Sequence, residues 1–184
     1  ERLKATREPY MHAMKTADVG IDYNGEWIYG VWYCGTAFQK AILHGMYPMT
    51  FVARVVAMFP PNKIDFLHLC CGVSFIEGAL NVDSIDRREL LEKYPKADFL
   101  KADVEDLHKI KNNTYDVILI DPPYSEEDAT RYGVPRLINA AKVINEAYRI
   151  LRPNGWLLWL DEKVPNTRNK EWNWTGIVGI ITGR

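Results

Sequence analysis

The stretch from Tyr115 to Tyr124 constrains this chain more than any other. It is an apolar, β-branched run that halts at Asp121-Pro122-Pro123-Tyr124. Val117, Ile118, Leu119 and Ile120 are consecutive apolar residues, the pattern of a strand buried on both faces in the middle of a parallel sheet. Neither proline can donate to a sheet ladder, and Pro123 holds its predecessor out of helical geometry, so the strand ends where the carboxylate appears. Asp121 therefore stands at a strand's carboxyl end, the edge along which open α/β sheets bind ligands. A plainer reading of the same letters is a strand, a rigid Pro-Pro turn and a surface tyrosine. The rest of the chain decides between them.

Upstream, Ile64 to Gly72 reads as a strand running into a glycine turn at Cys70-Cys71-Gly72-Val73-Ser74. His68 reads as a satisfied strand residue. Gly78 to Asp83 is a second short strand ending in an acid, with Asp86 as a nearby competitor. Asp83 follows Gly72 by only 11 residues, against the ~20 of a unit with a full intervening helix, so that helix is shortened or absent. The charged segment Asp86 to Lys96 suits an exposed helix ended by Pro95. Ala97 to Asp103 gives a third strand end, where Asp103 either faces the same edge or caps a helix over Val104 to Leu107.

Before these strands, Phe51 to Phe59 places Phe51, Val55 and Met58 on one helical face, with Thr50 as N-cap and Pro60-Pro61 as terminator. Residues up to about 45 show no clear period and read as an irregular, aromatic-rich arm. Trp27, Tyr29, Trp32, Tyr33 and Phe38 within it suit ordinary packing on the core or a loop over a ligand. After the central stretch, Ser125 to Gly133 reads as a polar loop beside the site, in which Arg131 and Tyr132 can contact a substrate. Pro135 opens a helix with Leu137, Ala141, Ile144, Tyr148 and Leu151 on one stripe, and Arg152-Pro153-Asn154-Gly155 turns it into the strand Trp156 to Leu160. Val164 to Trp174 is a polar loop carrying Arg168, Lys170, Trp172 and Trp174, suited to a solvated connection or to a nucleic-acid backbone. Ile177 to Ile181 reads as a last strand. Alternating strands and helices imply one α/β domain over 1–184, with a doubly wound, mainly parallel sheet.

Asp121-Pro122-Pro123-Tyr124 resembles the DPPY motif of class I S-adenosylmethionine-dependent methyltransferases that modify exocyclic amino groups of nucleic-acid bases. The ordered set Gly72, Asp83, Asp103, Asp121 to Tyr124 and Arg152 to Gly155 is similar to that family over about Tyr47 to Leu160, and the chain looks similar to compact phage and prophage DNA adenine methyltransferases. The resemblance implies S-adenosyl-L-methionine as cofactor and no metal. It implies that Tyr47 and Pro48 close over the methionine end and that Cys70, Cys71 and Gly72 form the loop against the cofactor. Asp83 would accept the ribose hydroxyls and Asp103 would accept from the adenine amino group. Asp121 and the Pro122 carbonyl would accept from the target amine, Pro123 would complete the rigid turn, and Tyr124 would stack on the base. One glycine stands where dinucleotide folds carry three, and S-adenosylmethionine has no pyrophosphate to cradle.

The reaction implied is methyl transfer to DNA adenine N6, with DNA cytosine N4 or RNA guanine N2 as alternatives. A non-catalytic methyltransferase-fold subunit or nucleic-acid-binding module is the alternative of another class. Charge bears on this choice: 23 Lys plus Arg against 24 Asp plus Glu give a net charge of -1, so nucleic acid must be held by a local patch or a partner subunit that recognises the target. Three cysteines, two of them adjacent, argue for reduced thiols in the cytoplasm, and no apolar run reaches the length of a membrane span.

Overall fold

The computed structural model of the protein describes Leu3 and residues 26–35, 46–167 and 171–183. Its centre is five short strands: β2 (Phe66–Leu69), β3 (Ala79–Asp83), β4 (Asp98–Lys101), β5 (Tyr115–Ile120) and β6 (Leu151–Trp159). They form one parallel sheet in the order β4-β3-β2-β5-β6. The chain thus builds outward from β2 to β4, then crosses back to lay β5 on the other side of β2. That reversal is the topological switch point of an open α/β sheet. In register, Leu69 lies beside both Val82 and Ile120, so the carboxyl ends of β2, β3 and β5 share one edge.

Alternation along the strands divides the core. Phe66, Val117 and Leu119 face one side, where they pack with Phe51, Val55 and Met58 of helix α1 (Phe51–Met58) and with Trp156. Leu67, Leu69, Ile118 and Ile120 face the other, against Val143, Ala147 and Ile150 of helix α3 (Ala140–Ile150). Val117 to Ile120 are at most 1% exposed, the two-sided burial that four apolar residues in a row require. A parallel sheet with layers on both faces is the α/β, Rossmann-like fold expected from the sequence.

Several local expectations differ. Ile28–Gly35, within the expected irregular arm, is strand β1, and it pairs in parallel with β7 (Gly176–Gly183) as a separate two-stranded sheet. Its inward side chains Ile28, Trp32 and Cys34 join the core around Phe51, whereas Trp27, Tyr29 and Tyr33 are exposed. Thr50 does not cap α1: it is left-handed at φ 72°, and its Oγ1 accepts from Arg54 Nε at 3.2 Å. The charged segment after Asp86 holds only a 3-10 helix, Arg88–Glu92. Val104 to Leu107 form no helix: Val104 and Glu105 make a turn, with the Glu105 amide donating to Asp103 Oδ1 at 2.9 Å. The expected polar loop contains helix α2 (Glu126–Arg131), which Ser125 caps by accepting from the Asp128 amide at 3.1 Å.

Helix α3 starts after Asn139, whose Oδ1 accepts from the Ala141 and Lys142 amides, and not at Pro135. Its buried stripe is Val143, Ile144, Ala147 and Ile150, while Tyr148 is exposed. Arg152 to Gly155 form a bulge inside β6, which takes the register from Tyr115–Leu151 directly to Val117–Trp156. Asn154 there has φ 66°, and a Cβ on Gly155 would lie 2.9 Å from the Asp116 carbonyl oxygen. No helix follows Gly72, in line with the short spacing to Asp83; Phe75 from that connection instead stacks on Phe99 at 5.4 Å. Phe38, Arg168 and Lys170 lie outside the described residues, and Trp172 packs edge-on against Tyr148. Among the described residues, no helix is long and apolar enough to cross a membrane.

Candidate active-site cleft

A cleft of about 510 Å³ opens at the switch point, where strand termini deliver polar groups to a wall otherwise built of apolar core. Pro48, Cys70, Gly72, Asp83, Asp103 and Asp121 to Tyr124 all line it. Tyr47 and Cys71 do not; both are buried behind the wall. Asp86 is also absent from the lining and is engaged by Arg88. Of the two acids, Asp83, the last residue of β3, is the one that lines the cleft.

The loop after β2 is tight. Cys70 and Gly72 both occupy the left-handed region, at φ 53° and 52°, the first an uncommon conformation for a side-chain-bearing residue. Asp83 holds the loop in place, accepting from the Gly72 amide through Oδ2 and from the Ile85 amide through Oδ1, each at 2.9 Å. Every carboxylate oxygen has two lone pairs, so both retain acceptor capacity toward the cleft. Asp103, exposed at the end of β4, uses Oδ1 for the Glu105 amide. Burial pushes the Cys70 and Cys71 thiols up, reinforced by Asp83, so neither is a thiolate nucleophile at neutral pH.

Asp121 follows β5, whose last four residues are buried. Its pKa is pushed up to about 7, chiefly by desolvation and further by the charge of Asp161 at the end of β6. Opposing this, the Tyr124 hydroxyl donates to Asp121 Oδ1 at 2.6 Å. The Pro-Pro turn brings the aromatic ring back over its own strand terminus, and the hydroxyl fixes the ring's orientation. One oxygen of Asp121 is committed to Tyr124; Oδ2 has no bond to another protein group among the described residues.

Behind the wall lies a buried polar chain. His68 is fully buried on β2, with Nδ1 2.9 Å from Asn81 Oδ1 and Nε2 2.7 Å from the Tyr47 hydroxyl. Asn81 donates through Nδ2 to the carbonyls of Ile76, Ala79 and Asp98, and its Oδ1 also accepts from the Ile76 amide. These four contacts fix the amide's orientation, so His68 Nδ1 carries the proton and Nε2 accepts from Tyr47. Desolvation lowers the His68 pKa to about 4, which keeps the ring neutral. Tyr47, stacked on Phe51 at 5.0 Å, thereby anchors the segment whose neighbours Met46 and Pro48 wall the cleft.

Sequence reasoning missed the wall formed by Val134, Pro135, Arg136 and Ile138. It is clamped by Glu105, whose side chain is only 5% exposed and accepts from Arg136, from the Asn139 amide at 2.7 Å and from Lys142 at 3.4 Å. The Arg136 contact leads in holding the Glu105 carboxyl down at about 2. No local pattern reveals a pairing across 31 residues. Arg131 and Tyr132 do reach the lining, though Arg131 is paired with Glu127 and Asp128. Arg87, also unforeseen, lines the cleft beyond Asp83.

No protein-family model and no curated protein matches the chain. Among solved structures, the chain is similar to the crystal structure of PH0226 protein from Pyrococcus horikoshii OT3, with 17% identity and a TM-score of 0.45. The similarity covers 60% of this chain and 54% of that one, so this chain spans about half of that protein's length. A likeness of that extent says nothing of activity.

Proposed function

We propose that this chain is an S-adenosylmethionine-dependent methyltransferase acting on an exocyclic amino group of a nucleic-acid base, DNA adenine N6 first. The observation that carries the reading is the convergence of Gly72, Asp83, Asp103 and the Asp121 to Tyr124 turn on one cleft at the switch point. The donor set suits the cofactor. Two carboxylates stand at the ends of β3 and β4 with acceptor capacity for hydroxyls and an amino group, and the left-handed Gly72 allows close backbone approach. When bound, the cofactor supplies an electrophilic sulfonium methyl.

What the chain's own residues do follows from the nucleophile. A base's exocyclic amine is weak because its lone pair is delocalised into the ring. Acceptors aimed at its hydrogens favour a pyramidal nitrogen and stabilise positive charge as it develops. Asp121 Oδ2 and the Pro122 carbonyl are those acceptors in this reading, and Tyr124 presents its ring to the base. A duplex base reaches such a cleft only after flipping out of the stack. Cytoplasmic location and a partner for target recognition belong to the same proposal, since the net charge of -1 provides no general attraction to DNA.

Two results test it. Asp103→Ala should weaken S-adenosylmethionine binding by about 1.5–3 kcal/mol, the worth of a hydrogen bond to a charged acceptor. Calorimetry measures this, and wild-type affinity in the variant would contradict the role. Separately, turnover at saturating cofactor should rise with pH as Asp121 loses its proton, with a midpoint near 7. Tyr124→Phe removes the bond that favours the carboxylate form, so its midpoint should move upward. A rate independent of pH from about 5 to 9, or a downward shift in the variant, would count against Asp121 as acceptor.

A further inference from the structure

The two-stranded sheet of β1 and β7 turns one face outward. Ile28, Trp32 and Cys34 of β1 are buried in the core around Phe51, and Val178 and Ile180 of β7 pack against the same cluster. The alternate residues point the other way, and the parallel register sets them side by side: Tyr29 with Ile177, Val31 with Gly179, Tyr33 with Ile181. Tyr29, Tyr33, Ile177 and Ile181 are 47% to 64% exposed, and Trp27, one alternation before Tyr29, is 51% exposed. Parallel strands ordinarily have both faces covered, and a sheet of two strands adds little stability of its own. A contiguous aromatic and β-branched face on such a pair is the mark of an interaction surface.

Gly179 and the charge pattern select the occupant. Gly179 sits in the middle of the outward row, yet nothing within the protomer requires a glycine there. Its φ is not positive, and a Cβ would meet Val31 Cγ2 at 3.7 Å and the Gly30 carbonyl oxygen at 3.8 Å, ordinary contact distances. A glycine inside a strand weakens it, and its use in such a place is to let another backbone approach closely. Across residues 26–35 and 171–183 the only charged side chains are Glu26 and Glu171, at the starts of the two segments. With no cation there, these segments have nothing to neutralise phosphate, which disfavours nucleic acid and anionic lipid. An identical face meets this one without like-charge repulsion, and a net charge of -1 leaves no long-range barrier between copies. The exposed parts of Trp27, Tyr29, Tyr33, Ile177 and Ile181 come to on the order of 500 Å² per copy, so two copies bury on the order of 1,000 Å², the size at which specific interfaces begin.

We propose that the outer face of β1 and β7 is a homodimer interface, packed about a two-fold axis against the same face of a second copy, with Gly179 at its centre. The proposal is independent of the cofactor reading. It meets the cleft at one point: the Gly35 carbonyl, at the end of β1, accepts from the Met49 amide at 2.9 Å, and Met49 directly follows Pro48 in the cleft wall.

Sedimentation equilibrium of the wild-type chain tests this, with Gly179→Arg and Tyr33→Lys alongside. At tens of micromolar the wild type should sediment at twice its 21.2 kDa. Each variant should raise the dissociation constant of the dimer at least about tenfold while keeping the wild-type far-UV circular dichroism. Tyr33 is 62% exposed, so its replacement leaves the fold intact, and Tyr33→Lys decides alone if an arginine at 179 does not fold. A monomeric wild type at that concentration would overturn the proposal, as would a smaller change in association in either folded variant. A monomeric wild type that binds phosphatidylcholine vesicles or a single-stranded oligonucleotide, and loses that binding in Tyr33→Lys, would give the face to that occupant and overturn the dimer equally.

Discussion

Asp121→Ala is expected to lower turnover about 10²–10³-fold at saturating cofactor, the range for removing one preorganised electrostatic partner, with a smaller change in substrate affinity. The split between the two is the informative part. An acceptor that gains interaction energy only as the amine becomes positive acts in the transition state, and its removal appears in kcat rather than in binding. Asp121 is well placed for this because desolvation raises its pKa to about 7: the environment that resists its charge in isolation rewards a neighbouring positive charge. Asp121 also lines the cleft beside Cys70 and Gly72, so cofactor affinity has to be measured separately. A folded Asp121→Ala enzyme turning over at the wild-type rate would refute the assignment.

The second large effect falls on stability. Asn81→Ala removes the acceptor of two buried donors, His68 Nδ1–H and the Ile76 amide, and the donors to three carbonyls. With about 1–3 kcal/mol for each stranded donor, the variant should lose about 2–6 kcal/mol in urea denaturation. A loss under about 1 kcal/mol would mean that the amide is not the clamp described here. Because His68 in turn holds Tyr47, a milder disturbance of this chain should loosen the Met46 and Pro48 wall before it unfolds the sheet.

The parts of the fold legible in the sequence were those set by local chemistry. Val117 to Ile120 declared a buried strand, and the two prolines placed Asp121 at its end. The 11-residue step from Gly72 to Asp83 correctly left no room for a full helix. Helix α2 was also legible and was overlooked: Ser125-Glu126-Glu127-Asp128 is a capping pattern, and the Ser125 side chain does cap the helix. Pro135 misled because proline suits a helix start, while the Asn139 side chain marks the true one.

What stayed hidden depends on distant partners. Strand β1 pairs with β7, where Ile28 lies opposite Gly176, and nothing within residues 28–35 announces that neighbour. A Cβ on Gly176 would lie 1.6 Å from the Ile28 carbonyl oxygen, so the two strands meet only because that residue is glycine. Within the site, the Glu105 to Arg136 clamp and the Arg87 guanidinium were invisible for the same reason. Charged residues near turns read as solvated surface until the sheet edge gathers them. Tyr47 shows the reverse error, since its sequence place suggested contact with a ligand and its hydroxyl is spent on His68.

The most direct measurement is to incubate the wild-type protein with methyl-labelled S-adenosylmethionine and, separately, unmethylated DNA, RNA and protein, then digest and identify the labelled product. The account predicts label in DNA, recovered as N6-methyladenine. Label recovered only in protein, or none in any nucleic acid from a folded chain that binds the cofactor, would contradict it.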